Sequence, residues 1–562
     1  MGITESTGTR DRERDRQDGR ASTGADSAAD SAADSDSARW WVPGVAVLVV
    51  VPLYLLWALV LATGGGDLAA QLAWAGFASR HPGSAYNLSW YGGMHTANYS
   101  LLTPPLMAVF GVRTVTVAAG LCGSWALGRL CVRSGVRWPV AVAVLGSLTL
   151  WCNVASGRTT FALGVAIGLV ALLYVRRRTG RTAGCAAGCA ALATAASPVA
   201  GLFLVVTGAA YGAARQWQRA GVLVVPPFVV VAATTVVFPF TGEQPMAVSK
   251  LWMPLVACAA LWLAAPREGG WRVVRFAGLV YAVGVVLTFL IPSPIGTNVE
   301  RLVGLAGPPV LLAALLTVLP RWARGGALVR VQAVVLAGTL VYNSGWLINK
   351  TGDDLRVSDA VPAWAEHTDG VVAELRRLGA ERTRVEVVPA RNHREATVLA
   401  PYVNMARGWN RQLDVERGRL FYEGKPTPAT YRAWLDRWSV GLVVLHNGRP
   451  DGPAEAEAAI VRRGADWLEP VWQDGEWRIY RVREAVPLVS APGAVVRGDD
   501  ASLVVRMPAA GSVTVRIAYS PWLRADGGGC LRQDGEWTRL TVERADEYRL
   551  DSHYRLWPFG SC

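Results

Sequence analysis

Asp67 stands directly after three glycines, where a long apolar run gives way to polar sequence. A carboxylate in that position can take a proton from an attacking hydroxyl, because partial dehydration makes a carboxylate a stronger proton acceptor. If the group displaced leaves as an anion, fixed cations are needed across from the base. Arg113, Arg158, Lys250 and Arg301 lie near the ends of apolar runs on the side expected for Asp67. Arg158 is the leading candidate, since it interrupts a very short link (Asn153-Val-Ala-Ser-Gly-Arg-Thr-Thr) between two apolar runs. Arg301 follows, in Ile295-Gly-Thr-Asn-Val-Glu-Arg, where Glu300 and Asn298 are further candidates and Glu300 has Arg301 as a ready ion-pair partner. Tyr91, His95 and Tyr99 complete the substrate-binding set, in a stretch that also holds Tyr86, Trp90, Asn98 and the pair Gly92-Gly93. Trp and Tyr form interfacial belts in any membrane protein, which accounts for some of these rings but not for Asp67, His95 and Asn98 in one loop. Glu243 reads as a solvated second acid.

The elements that must position these residues are transmembrane helices. The chain has 562 residues, 52% of them hydrophobic. From Trp41 to about Ile348 it is a series of apolar runs with short loops between them. Candidate spans run over 42–62, 105–131, 138–153, 160–175, 184–196, 199–213, 220–238, 250–265, 276–291, 302–319 and 327–348, about eleven in all. The fifth and sixth meet at Ser197-Pro198, where one proline-kinked helix is the alternative. Arginines decide between them. Clusters at 129–137, 176–181, 215–219, 267–275 and 321–330 share one side only if 184–213 crosses twice. The positive-inside rule puts them in the cytoplasm of a cell with an inner, plasma membrane, and eleven crossings then leave the C-terminal domain outside. The formal net charge of +13 resides largely in these loops, which argues against nucleic acid as a partner and for the lipid bilayer. Residues 1–40 carry almost no large apolar side chains and read as a disordered cytoplasmic tail rather than a cleavable signal peptide.

The expected organisation is therefore a polytopic α-helical membrane domain over 41–350 with a long exterior loop at 63–104, an exterior α/β domain over 351–485, and an exterior β-rich domain, a β-sandwich, over 486–562. Within the loop, Leu68 to Phe77 has the composition of a short interfacial helix. In the α/β region, 363–378, 428–438 and 455–463 predict helices, while 384–388, 441–445 and a pair within 472–482 predict strands. The segment 406–414 and the following Leu420-Phe-Tyr-Glu-Gly are rich in groups that bind sugars, though packing explains them at least as well. Six of the eight cysteines fall in or beside apolar runs; Cys185 and Cys189, four apart, lack a neighbouring His or carboxylate and read as small apolar side chains, not metal ligands. Cys530 and Cys562, the remaining pair, read as one disulfide in an oxidising compartment.

An acidic residue directly after the first span, a long first exterior loop with an interfacial helix, and a Pro-Pro-Leu lead-in to the second span ending in Phe110-Gly111 form a pattern. In these features the membrane region resembles the GT-C superfamily of polyprenyl-phosphate-sugar-dependent membrane glycosyltransferases, and the exterior C-terminal domain fits it as well. The resemblance implies transfer of a sugar from a polyprenyl-phosphate carrier to an exterior glycan, lipid or protein, with Asp67 as the catalytic base. Many such enzymes carry two adjacent acids at this point, whereas here Gly66 and Leu68 flank Asp67. No cofactor is called for outright, and a divalent metal is left open. The readings from other classes are a multi-pass transporter and a non-catalytic envelope scaffold. No Walker loop, dinucleotide fingerprint or nucleophile elbow occurs in usable context.

Overall fold

Apolar runs bounded by arginines and glycines fold as helices, because a helix satisfies its own backbone without help from solvent. In the computed structural model, which describes residues 40–175, 180–323 and 325–555, the chain from Trp40 to Ser358 is almost entirely helical. The expected N-terminal tail, the Arg176–Arg178 cluster, Arg324 and Cys562 lie outside the described residues. Among the described residues, six helices are long and apolar enough to cross a membrane: Trp40–Leu61, Val112–Arg133, Trp217–Val237, Trp271–Leu290, Gly296–Arg321 and Ala327–Ser358. Shorter apolar helices are Pro139–Ala155, Thr159–Val175, Pro198–Ala213 and Val248–Ala264. Their outer faces expose Leu48, Phe228, Val283 and Val334.

Two boundaries differ from the expected ones, and the expected break at Ser197-Pro198 is present. The run expected as one span over 105–131 breaks at Gly111, whose φ of 82° and ψ of 143° suit only glycine, into Thr103–Phe110 and Val112–Arg133. The residues 184–213 form two helices, Gly180–Ala196 and Pro198–Ala213, with Ser197 extended between them. The freed carbonyls at that break are taken by the end of the first loop, through Leu101 N–H to Ala195 O (2.9 Å) and Thr103 Oγ1–H to Ala196 O (3.1 Å). The break therefore sits on the same side of the helical body as Asp67's loop. Finally, the last helix runs ten residues past Ile348, to Ser358. At 1.5 Å per residue its 32 residues span about 48 Å, more than the thickness of a 30 Å hydrocarbon layer, and its final turns carry the chain into the C-terminal region.

That region begins with a four-stranded sheet of β1 (Arg384–Val387), β2 (Val440–His446), β3 (Leu468–Gln473) and β4 (Trp477–Val482), in the order β1-β2-β4-β3. β1 and β2 are parallel, and the other pairs are antiparallel. The expected helix over 363–378 is two, Ala363–Glu366 and Asp369–Arg377. β2 is apolar at nearly every position because both its faces are covered: Leu442 and Val444 enter one core, Val443 and Leu445 another. The first of these cores also contains Ala70, Trp74, Trp90 and Tyr91. The loop after the first span is thus part of the C-terminal fold rather than an independent strip.

The last unit is a two-sheet β-sandwich with strands alternating inward and outward. One sheet has the order β7-β10-β9 (Gly511–Ala518, Trp537–Val542, Cys530–Asp534). The other has the order β5-β6-β11-β8 (Ala494–Gly498, Ser502–Met507, Asp546–Ser552, Leu523–Ala525). Val505, Val515, Leu540 and Tyr548 point inward, and Tyr86 and Leu88 of the first loop join them. Cys530 opens β9; its expected partner, Cys562, lies outside the described residues.

Candidate functional site

Asp67 is the first residue of the helix Asp67–Arg80. Gly66, at φ 64° and ψ −140°, makes the turn into it, and a carboxylate in that first turn is favoured by the helix dipole. The turn is held from the C-terminal region. Gly66 N–H donates to Asn392 O at 2.8 Å, and the buried Arg394 guanidinium grips Thr63 O, Thr63 Oγ1 (2.7 Å) and Ser358 O (2.7 Å). From the other side comes the 156–158 turn, whose Gly157 has φ 77° and lies so close that a Cβ would sit 2.7 Å from Leu68 N. That approach brings Arg158 to Asp67.

The two form the centre of a charged group. Arg158 Nε lies 3.4 Å from Asp67 Oδ2, and its Nη2 donates to Asp354 Oδ2 at 2.9 Å. Arg301 Nη2 stands 4.0 Å from the same Asp67 oxygen, with its guanidinium over the Phe161 ring at 5.4 Å. Glu300 does not pair with its neighbour Arg301, as the sequence allowed; it takes Lys350 Nζ at 2.7 Å, and the Lys350 ammonium lies over Trp346. Asp67, Arg158, Glu300, Arg301, Trp346 and Lys350 line a cavity of about 290 Å³ where the helix ends meet the C-terminal region. Its walls hold four cations, Arg158, Arg301, Lys350 and Arg411, against two carboxylates, Asp67 and Glu300. A second cavity of about 210 Å³ adjoins it on the side of the α/β domain, and Asp67, Trp409 and Arg411 line both.

Of the residues selected from sequence, Asp67, Arg158, Tyr99, Asn298, Glu300 and Arg301 line the larger cavity. Tyr99 packs on Trp74 at 4.2 Å between ring centroids, and Asn298 donates to Gln244 Oε1 at 2.9 Å. His95 and Tyr91 line neither cavity. The Tyr91 hydroxyl donates to Gly408 O at 2.8 Å and accepts from Asn410 N–H, fixing the first loop to the segment after β1. His95 is buried, its Nδ1–H donating to Ala85 O and its Nε2 accepting from Ser520 Oγ. Burial pushes its ring down to about 4, so it stands neutral as a packing residue. Arg113 is spent on Ala62 O, Glu243 pairs with Arg419, and Lys250 is exposed.

Sequence reasoning passed over Lys350, Asp354 and Arg411. Lys350 and Asp354 carried a signal, as charges gathered at the end of an apolar run. Arg411 lies in the 406–414 segment, whose residues divide: Arg407 is sealed in the core while Trp409 and Arg411 reach the cavities. Arg411 is held by the Tyr422 hydroxyl at 2.7 Å and Asp451 at 3.2 Å, and its guanidinium lies 4.7 Å from the Trp409 ring centre.

Each cavity carboxylate already has a cationic side chain as partner, so this donor set suits Arg and Lys better than a divalent ion. Among the described residues, one trio has metal-ligand spacing: His81, Asp499 and Asp500. It lies beyond the far end of the Asp67 helix, roughly 20 Å along the axis. Asp500 there accepts from Arg80 and His81, and Asp499 accepts from Ala501 N–H and Ser502 N–H.

Residues 490–562 match a domain of unknown function, DUF8823. No curated protein matches the chain. The DUF8823 segment covers the β-sandwich, and none of its described residues lines either cavity. Its part is support: Ser520 holds His95, and Trp522 stacks on Phe238 at 5.3 Å and donates to Val237 O, fastening the end of the Trp217–Val237 helix.

Proposed function

We propose that the chain is a multi-pass plasma-membrane glycosyltransferase of the GT-C type, moving a sugar from a polyprenyl-phosphate carrier to a cell-envelope acceptor, with Asp67 as general base. In this reading the six long helices, the four shorter apolar ones and Gly180–Ala196 make eleven crossings, with the N-terminus cytoplasmic and the α/β and β-sandwich units outside. Outward-facing Leu, Val and Phe along these helices are at home in lipid and would be a liability in water. Cys530 and Cys562 would be joined as a disulfide in that compartment.

One observation carries the proposal: Asp67 faces Arg158 and Arg301 in a cavity with an excess of cations, at the level where apolar helices meet the exterior fold. The carrier's phosphate would bind Arg158 and Arg301, with Lys350 nearby. An acceptor hydroxyl oxygen then attacks the anomeric carbon, and the bond from that carbon to the phosphate oxygen breaks. The lipid phosphate keeps the electron pair, and the hydroxyl proton passes to Asp67. The ion pairs make this sequence self-ordering. A phosphate competes with the Asp67 carboxylate for the same guanidiniums, so filling the carrier site frees the base.

The test is product formation by purified protein supplied with polyprenyl-phosphate sugars and envelope acceptors. Asp67→Asn should fold and bind carrier while turnover falls by about 10²–10⁴. Full transfer by that variant would remove Asp67 from the mechanism. Substrate movement across vesicles without any glycosyl product from wild type would favour a transporter.

A further inference from the structure

The glycines before Asp67 have a physical reason: the link into its helix lies flat on the end of the last helix. Gly64 and Gly66 have φ of 97° and 64°, which glycine adopts without strain. Gly65 is required by contact instead, since a Cβ there would lie 2.8 Å from Ser358 O and 3.2 Å from Arg394 Nη2. Ser358 closes the helix Ala327–Ser358, so its carbonyl has no intrahelical donor. Thr63 Oγ1–H and Arg394 Nη2 donate to it from outside the helix, each at 2.7 Å. The same guanidinium donates to Thr63 Oγ1 at 2.7 Å and to Thr63 O, and reaches Ala360 O at 3.4 Å. Arg394 thus bridges the end of the first span and the end of the last helix.

Those two ends carry the charged group of the site. Asp67 follows Thr63 by four residues, and Asp354 precedes Ser358 by one helical turn, with Ser358 Oγ–H donating to Asp354 O at 2.8 Å. Arg158 lies between them, 3.4 Å from Asp67 and 2.9 Å from Asp354. One guanidinium reaches both carboxylates only while the two ends keep that spacing. Arg394 is buried and lines neither cavity, so its action on the site runs through the ends it holds. A planar fork grips Thr63 and Ser358 together, which a single ammonium on a flexible stem does less well.

We propose that Arg394 is a positioning residue: by clamping Thr63 to Ser358 it keeps Asp67 against Arg158, holding the base in register with the cation that takes the phosphate. This inference rests on the glycosyltransferase reading for the roles of Asp67 and Arg158. Its signature is a gain rather than a loss. Asp67 competes with an anion for Arg158, so loosening the clamp withdraws a competitor while Asp354 keeps the guanidinium in place. Ordinary damage to the fold would weaken anion binding instead.

The experiment uses the full-length protein in lipid nanodiscs with citronellyl phosphate as the probe, and measures probe affinity and glycosyl product separately. Asp67→Asn should bind the probe about fivefold tighter than wild type, and Arg394→Lys about threefold tighter. The double variant should stay near about fivefold rather than reach about fifteenfold, because both changes release the same contact. Turnover of Arg394→Lys should fall by about tenfold to a hundredfold with no loss of probe affinity. Thr63→Val keeps the guanidinium and removes the hydroxyl between Arg394 and Ser358. It should shift affinity and turnover the same way by smaller factors, and it decides the question if the lysine variant does not fold. Weaker or unchanged probe binding, full additivity with Asp67→Asn, or undiminished turnover would overturn the clamp. So would a wild type that binds no probe, since the competition for Arg158 would be missing. The expected binding cycle without any glycosyl product from wild type would overturn the glycosyltransferase reading and leave the clamp standing.

Discussion

Two clusters of opposite charge lie a short way apart in this molecule, and they are built on different terms. In the α/β core, Arg407 is sealed with Glu386 and Glu457, the three side chains 1%, 0% and 0% exposed. Arg407 Nη2 reaches Glu386 at 2.6 Å, Glu457 also takes the Tyr431 hydroxyl at 2.8 Å, and the Phe421 and Trp434 rings close over the guanidinium. Burial pushes the Glu386 carboxyl well above the usual carboxylate range, Arg407 pulling against that shift and Glu457 adding to it. In the cavity, by contrast, Asp67 and Asp354 are 37% and 36% exposed and their contacts with Arg158 and Arg301 stretch from 2.9 to 4.0 Å. The sealed cluster has no route for exchange and fixes the fold. The open one can trade partners with a ligand.

Removing one member of each cluster separates these roles most sharply. Arg407→Met would leave two carboxylates buried without a cation and should destabilise the C-terminal fold by about 3–5 kcal/mol in denaturant unfolding. Arg158→Met should cost under about 1 kcal/mol, because Asp67 and Asp354 can turn to water. Its turnover and its affinity for lipid phosphate should instead fall together, turnover by about 10²–10³. If Arg158→Met proved as destabilising as Arg407→Met, the cavity cluster would be a structural fixture and the proposed exchange of partners would fail.

A second contrast concerns acid. His95 and His446 are buried with both ring nitrogens occupied in the neutral form. His446 donates from Nε2 to Val388 O and accepts at Nδ1 from Gly448 N–H. Burial pushes each ring down to about 4. Unfolded, each would titrate near 6.5 and so bind a proton that the native state refuses. Stability is then full above pH 6.5 and declines as the pH falls from about 6.5 to about 4, by roughly 3 kcal/mol for each ring. Unfolding midpoints of the C-terminal region measured from pH 7 to pH 4 should show the decline. His446→Asn, whatever it costs at pH 7, should make the slope about half as steep. An unchanged slope in that variant would place the acid sensitivity elsewhere.

Legibility from sequence followed the same division between local and distant causes. The helices came from apolar runs of span length, β2 from a short continuous apolar run, and β3, β4 and the sandwich strands from periodicity between turns, because those patterns are local. Asp67, Arg158 and Arg301 were legible because a charge at the end of an apolar run is conspicuous on its own. His95 and Tyr91 were chosen for chemical type, and tertiary packing against Ser520 and Gly408 decides otherwise. Arg411 becomes a site residue only when the C-terminal region folds back over the helix ends, which no local spacing encodes. The break at Gly111 was missed because an apolar run of 27 residues is long enough to hide two helices.

The smallest effect marks the outer limit of the comparison. Arg506 and Glu547 face each other across β6 and β11, joined at 2.7 Å from Nη2 and 3.0 Å from Nε to one oxygen. Their geometry is as close as that of Arg407 and Glu386, yet their side chains are 63% and 46% exposed. Water screens the attraction, and holding two long side chains together costs rotamer entropy, so short distances here mean little. A double-mutant cycle of Arg506→Ala and Glu547→Ala should give a coupling of about 0.2–1 kcal/mol. At 1 M salt, where the screening length falls to about 3 Å, the coupling should approach zero. The corresponding cycle on Arg407 and Glu386 should be several-fold larger and nearly indifferent to salt, because solvent ions cannot reach the pair. The cavity pair Arg158–Asp354 should fall between the two and respond to salt in part, as its intermediate exposure dictates. Equal couplings across the three pairs would mean that distance, not burial, sets their strength, and the distinction between a sealed cluster and an exchangeable one would dissolve.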